Sequence, residues 1–134
     1  MIAGPIDKIA SGGELARFLL ALKVVLSANE SPKTLIFDEV DSGVGGAVAA
    51  AVGARLARLG KKMQTLVITH SPQVASNGDH HLKIEKYQSG EQMLSSTVGL
   101  SEDERLEEIA RMLAGDEITE AARSAAAQLL KGDR

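Results

Sequence analysis

Two short apolar runs with one helical stretch between them constrain this chain more than anything else in it. Thr34 to Phe37 and Thr65 to Thr69 are built of β-branched, aliphatic or aromatic residues, which predicts short strands buried on both faces. Between them Val48, Val52, Leu56 and Leu59 form the stripe of a helix, Arg55 and Arg58 lie off it, and Gly60 suits a left-handed cap. Two strands joined through one helix form a βαβ unit, so they should be parallel with a right-handed crossover. Their C-terminal ends then share one sheet edge, where open α/β sheets bind ligands.

That edge carries charge. Asp38 and Glu39 follow the first strand directly, and Gly43, Gly45 and Gly46 loosen the chain before the helix. Adjacent carboxylates beside a low-dielectric core repel each other and resist desolvation, so something cationic or reactive should repay them. A magnesium–nucleotide site is the expectation. Asp38, nearer the strand, would hold Mg²⁺ through water, because that ion keeps much of its hydration shell. Glu39 would polarise the attacking water, a general-base role typically worth about 10²–10⁴ in rate. The bland alternative is a solvated acidic turn. His70 follows the second strand and is expected beside the acids, where it could contact the γ-phosphate or fix the water; a lone His there is often only a hydrogen-bonding residue.

Upstream, Met1 to Ala10 reads as a loop or an edge strand. Ser11-Gly12-Gly13-Glu14 then precedes a helical pattern made by Leu15, Phe18, Leu19, Leu22, Val25 and Leu26. Two glycines and a helix start let backbone N–H groups approach an anion, and Ser11 can donate a hydrogen bond. An ordinary helix cap is the simpler reading of this segment taken alone. Ser31-Pro32-Lys33 breaks the helix.

Downstream, Ser71-Pro72 starts a short helical turn over Gln73 to Ser76. Leu82 to Tyr87 and Gln92 to Val98, flanking Gln88-Ser89-Gly90, predict a β-hairpin. Ser101 with Glu104 is a capping-box pair opening a helix with Leu106, Ile109, Ala110 and Leu113 on its face. Thr119 caps a last helix through Leu130, ending at Gly132. Asp79-His80-His81 invites a metal reading, but adjacent side chains on an extended segment point to opposite faces, and no Cys is available to help. Lys61-Lys62 reads as a solvated turn.

Composition narrows the classes. A chain of 134 residues has room for one domain with a core, which must be aliphatic because there are two Phe, one Tyr and no Trp. The absence of Cys excludes a disulfide scaffold and fits a reducing compartment. No apolar run reaches membrane-spanning length and no signal sequence is visible, so a cytoplasmic protein without membrane contact is expected. A net charge of −3 argues against strong non-specific DNA binding by this chain alone. No Gly-x-x-x-x-Gly-Lys-[Ser/Thr] occurs, so the acids have no phosphate-cradling loop within these residues.

Taken together and in order, these pieces resemble the C-terminal half of an ABC-type ATPase head. Ala10-Ser11-Gly12-Gly13-Glu14 looks like the signature motif, Leu35-Ile36-Phe37-Asp38-Glu39 like Walker B with its catalytic Glu, Val40-Asp41-Ser42-Gly43 occupies the place of the D-loop, and Thr69-His70 that of the switch histidine. Asp-Glu-Val-Asp points to the SMC-like branch. Within it, Lys8 to Arg17, Asp38 to Gly46, Ile68 to Ala75, and Ile109 to Gly115 with Ile118-Thr119 are similar to the RecN family of bacterial DNA-repair proteins. The resemblance runs from Ile6 to Leu130. Ala10 stands where most ABC-type proteins have Leu, and Ala16 where the family usually has Ser.

The resemblance implies an α/β fold: the C-terminal lobe of a P-loop ABC-type head, a mainly parallel sheet flanked by helices, with a C-terminal β-hairpin and helices. It implies a single domain over 1–134, with the Walker A half, its Q-loop and a long coiled coil lying elsewhere. It implies ATP and Mg as cofactors. Glu39 and His70 would be catalytic, Asp38 would hold Mg through water, Ser11, Gly12 and Gly13 would contact the nucleotide of a second head, and Asp41 would communicate across that dimer. The partners would be the N-terminal half of the same head, a second head in an ATP sandwich, and DNA through the full assembly, during double-strand-break repair. The chain alone is expected to be inactive. A non-catalytic interaction module and the head of another SMC-like protein are the alternatives.

Overall fold

The computed structural model describes residues 34–90, 92–115 and 117–132. The Ser11-Gly12-Gly13 segment, the loop or edge strand expected before it and the helix expected after it lie outside them. In chain order come β1 (Leu35–Asp38), α1 (Gly46–Gly60), β2 (Thr65–Ile68), α2 (Pro72–Ala75), β3 (Leu82–Ser89), β4 (Gln92–Gly99), α3 (Glu102–Ala114) and α4 (Glu120–Lys131).

β1 and β2 pair in parallel with Asp38 opposite Ile68, as the intervening helix requires. Backbone bonds of 2.9 Å from Leu35 N–H to Gln64 O and from Glu39 N–H to Ile68 O extend the ladder past both ends of β1. β3 and β4 form an antiparallel hairpin from Leu82 opposite Gly99 to Ser89 opposite Gln92, turning through Gly90 at φ 62°. A mainly parallel sheet is expected from the sequence. Among the described residues the pairing is divided instead between two two-stranded sheets, one parallel and one antiparallel.

Phe37, Val40, Val52, Leu56, Leu59, Met63 and Val74 gather with Ala49 into one core, where β1, α1 and α2 meet. Fully burying a side chain of this size stabilises the fold by roughly 1.5–3 kcal/mol. The strands are not buried on both faces as their composition suggests. Phe37 faces α1, while Ile36, Leu66 and Ile68 are exposed, because among the described residues helices cover only one side of β1 and β2. α1 differs from its sequence reading in two further ways. Its inward stripe is Ala49, Val52, Gly53, Leu56 and Leu59, which rotates Val48 out to 46% exposure. Gly60 closes the helix as its last residue, and the cap falls on Lys61 in right-handed geometry, φ −69°. The last carbonyls are instead met by tightened turns, with Lys62 and Met63 N–H both donating to Leu59 O.

A second core holds Ile109 and Ala110 of α3 against Ala126 of α4. Both helices start as their sequences predict. Ser101 and Glu104 make the reciprocal capping box, and the Thr119 hydroxyl accepts from Ala122 N–H at 3.2 Å. α2 joins the cores, since Val74 belongs to the first and Ala75 packs on the second. Gly53 permits this: a Cβ there would stand 2.9 Å from Gln73 O and 3.2 Å from Val74 Cα. Arg105 of α3 fastens the other side of α2, its Nη2 donating to the carbonyls of Ala75 at 3.3 Å, Ser76 at 2.9 Å and Gly78 at 2.5 Å. Among the described residues, no helix is long and apolar enough to cross a membrane.

Candidate functional site

The parallel register decides where the chemistry stands. Asp38 is the last residue of β1, Glu39 follows it, and His70 lies two residues beyond Ile68, the partner of Asp38. All three side chains are exposed, at the C-terminal edge of the β1–β2 sheet. The βαβ connection makes this unavoidable, because parallel strands present both C-terminal ends to one side.

The turn after β1 is tightly specified. Glu39 has φ 47°, the left-handed region that a residue with a side chain seldom occupies, and it is the one non-glycine with positive φ among the described residues. Its N–H is held by Ile68 O, and its carbonyl accepts from Ser42 N–H at 3.0 Å. Val40 turns into the core. A left-handed non-glycine costs on the order of 1–3 kcal/mol and persists where its surroundings over-determine it.

Asp41 behaves differently from its two acidic neighbours. It is 3% exposed, its Oδ2 accepts a hydrogen bond from the Thr69 hydroxyl, and among the described residues its Oδ1 makes none. Leaving a buried acceptor unsatisfied costs about 1–3 kcal/mol. The Thr69 oxygen in turn accepts from Ser71 N–H at 2.9 Å, so one hydroxyl bridges the residues on either side of His70 and ties them to Asp41. Neither the burial of Asp41 nor the part of Thr69 carries a sequence signal, since both depend on which loops meet.

The donor set suits a hard cation held through water. Asp38 and Glu39 present exposed carboxylate oxygens, and among the described residues no group of three His, Cys, Asp or Glu could close on a metal. Mg²⁺ takes one or two carboxylates and completes its shell with water and phosphate oxygens, so it fits such a site better than an all-protein cage. Asp79 and His80 are exposed and His81 is half-buried. Lys61 and Lys62 lie exposed in a turn.

A concavity of about 550 Å³ lies between the hairpin and α3 and draws no residue from the β1–β2 edge. The two cations of its lining, Lys83 and Arg111, converge on one acid. Buried Glu108 accepts from Arg111 at 2.6 Å and pairs with Lys83 at 3.1 Å. The hydrogen bond from Arg111 holds the Glu108 carboxyl below its ordinary range against the opposing effect of burial, and Glu108 in turn raises Lys83. His81 is pushed down, first by burial and then by the nearby Arg105 guanidinium.

The fold is one found in SMC-type ATPases. A chain from a solved structure concerned with ATP-driven dimerization and DNA-stimulated activation of SMC ATPases matches with a TM-score of 0.62 at 22% identity, over 82% of this chain and 66% of that one. No family model matches the chain. Its sequence is 50% identical over 130 residues to the DNA repair protein RecN of Rickettsia felis, covering 97% of this chain and 24% of that protein. Against RecN of Streptomyces coelicolor the identity is 48% over 132 residues, 98% of this chain and 23% of the relative. Against that of Deinococcus radiodurans it is 49% over 129 residues, 96% and 22%. Over nearly its whole length the chain is thus about half identical to a part of the RecN proteins. It spans about a quarter of the length of these relatives.

Proposed function

We propose that these residues are the C-terminal lobe of a P-loop, ABC-type ATPase head, which hydrolyses ATP for DNA double-strand-break repair and recombination in the cytoplasm. The observation that carries the reading is the shared edge of β1 and β2, which puts Asp38 and the left-handed turn at Glu39 at the same end of the sheet as the loop that carries His70. The RecN relatives and the SMC-type fold support the biological assignment. Residues 1–134 form one domain, completed by an N-terminal half that supplies the Walker A loop, the Q-loop and a coiled coil.

Each residue has a distinct part. Asp38 holds Mg²⁺ through water. Bound there, Mg²⁺ offsets the negative charge of the phosphates. Glu39 accepts a proton from the attacking water, and His70 holds that water or the γ-phosphate in line. Ser11, Gly12 and Gly13 offer hydrogen-bond donors to the nucleotide on a second head, so that two heads close on two ATP molecules. Asp41 is expected from the resemblance to communicate between the heads. Its burial and its bond to Thr69 favour a part within its own chain.

The test is reconstitution. The 134 residues alone should hydrolyse ATP negligibly, and joining them to the Walker A half of a RecN relative should restore turnover. In the joined protein, Glu39→Gln should abolish hydrolysis and accumulate ATP-bound dimers. Clear Glu39-dependent turnover by the isolated chain would refute the shared-site reading. Unchanged turnover in the Glu39→Gln protein would remove Glu39 as the base.

A further inference from the structure

We propose that Asp41 is a positioning residue acting within its own chain: by gripping Thr69 it registers the turn that carries Glu39 against the loop that carries His70. The inference rests on the reading of Glu39 and His70 as the reacting pair. Three observations converge on it.

The first is burial. Asp41 stands two residues after an exposed carboxylate, in a surface turn, and yet is 3% exposed. A buried acceptor has to find a donor, and the donor here, the Thr69 hydroxyl, lies 28 residues away in sequence on the other loop of the site. The second is the double use of that hydroxyl. Its proton goes to Asp41 Oδ2 while its oxygen accepts from Ser71 N–H, closing a ring around His70. His70 itself stays exposed. The third is the left-handed backbone of Glu39, which needs support on both sides. Its N–H is fixed to Ile68 O, and its carbonyl is fixed to Ser42 N–H, next to Asp41. Breaking the Asp41–Thr69 bond therefore releases both loops together. Glu39 relaxes toward ordinary backbone geometry and the ring around His70 loses its anchor. Misplacement of reacting groups by about 1 Å can cost about a hundredfold in rate.

The test uses the chain joined to the Walker A half of a RecN relative, with four variants: Asp41→Ala, Thr69→Val, Thr69→Ser and the Asp41→Ala/Thr69→Val pair. Thr69→Val and Asp41→Ala should each lower kcat for ATP hydrolysis by about ten- to a hundredfold, with KM for ATP moving less than about twofold. Thr69→Ser keeps the hydroxyl and should retain near-full turnover. The double variant should be no worse than the poorer single one, because both remove the same bond. Hydrogen exchange at the Ser71 amide should quicken in Thr69→Val and Asp41→Ala but not in Thr69→Ser.

Unchanged kcat in Thr69→Val overturns the proposal, and so does a double variant whose loss is the product of the single losses. Weakened ATP-dependent dimerization in Asp41→Ala, with Thr69→Val behaving normally, also overturns it by giving Asp41 a part between heads. A Glu39→Gln protein that still turns over would sink the catalytic reading. The Ser71 exchange rates would still show whether Asp41 and Thr69 lock the two loops, so the two failures are separable.

Discussion

A Cβ on Gly53 would stand 2.9 Å from the carbonyl oxygen of Gln73, so this glycine sets how closely α1 approaches α2. Those helices leave the two loops of the candidate site, α1 following the Glu39 turn and α2 following His70. In an open helix, Gly→Ala stabilises by about 1 kcal/mol. Here Asn77 Nδ2 at 2.8 Å can swing aside, but the Gln73 carbonyl oxygen and Val74 Cα at 3.2 Å are backbone and cannot rotate away. Overpacking of this kind costs about 1–3 kcal/mol. Gly53→Ala should therefore lower stability by about 1–2 kcal/mol net in urea unfolding. Gly60→Ala is the matched control, since nothing lies within 4 Å of its Cβ position. It should be neutral or stabilising by up to about 1 kcal/mol. Equal responses at the two positions would remove the steric account.

Arg105 should matter through its geometry as much as through its charge. One terminal nitrogen reaches three carbonyls, that of Ala75 at the end of α2 and those of Ser76 and Gly78 just beyond it. Hydrogen bonds from a charged donor contribute about 1.5–3 kcal/mol. Arg105→Met keeps much of the apolar stem and removes the donors, so it should destabilise by about 2 kcal/mol. It should also raise the pKa of His81, one of whose depressing influences is Arg105. A His81 titration that does not move, followed by NMR, would contradict the pairing.

What could be read from the sequence was what neighbours along the chain decide. The β1–α1–β2 order, the hairpin at Gly90, the Ser101–Glu104 box and the Thr119 cap each follow from local spacing or local hydrogen bonding. Asp38, Glu39 and His70 reach one edge because the parallel connection obliges them to. Elsewhere distant segments choose the outcome. Val48 was legible as apolar but not as outward-facing, since Gly53 and Ala49 turn the inward face of α1 away from it. Glu108 falls off the stripe of Leu106, Ile109, Ala110 and Leu113 and is buried all the same, because Lys83 of the hairpin and Arg111 come to meet it. Asp41 looks like its exposed neighbours until Thr69 is seen against it.

Acid should weaken the protein in two stages. His81 has its folded pKa below the ordinary 6.5, so the unfolded chain binds its proton first as pH falls. Its contribution is present above about pH 6.5 and is lost as pH drops through the lower folded value. Glu108 is likewise held below its ordinary 4.5, chiefly by the hydrogen bond from Arg111, and its contribution disappears below that pH. The urea midpoint should fall between pH 7 and pH 5.5, and His81→Gln should flatten that segment while leaving the drop below pH 4.5 intact. A midpoint that rises on acidification would reverse the sign and exclude a depressed His81.

Asp38 and Glu39 are adjacent and both exposed, yet the proposed chemistry separates them, and kinetics can do the same. Asp38 ends the ladder with its backbone in register opposite Ile68, whereas Glu39 begins the left-handed turn. If Asp38 holds Mg²⁺ through water, Asp38→Asn keeps the shape and removes the charge. The reconstituted protein should then need roughly tenfold or more extra Mg²⁺ to reach half-maximal turnover. If Glu39 is the base, Glu39→Gln should leave the Mg²⁺ requirement and ATP binding in place and lower kcat by about 10²–10⁴. The two profiles differ in kind: one is a shift along the Mg²⁺ axis, the other a loss that no concentration of metal restores. Rescue of Glu39→Gln by added Mg²⁺ would make both acids metal ligands and leave the base to be found elsewhere.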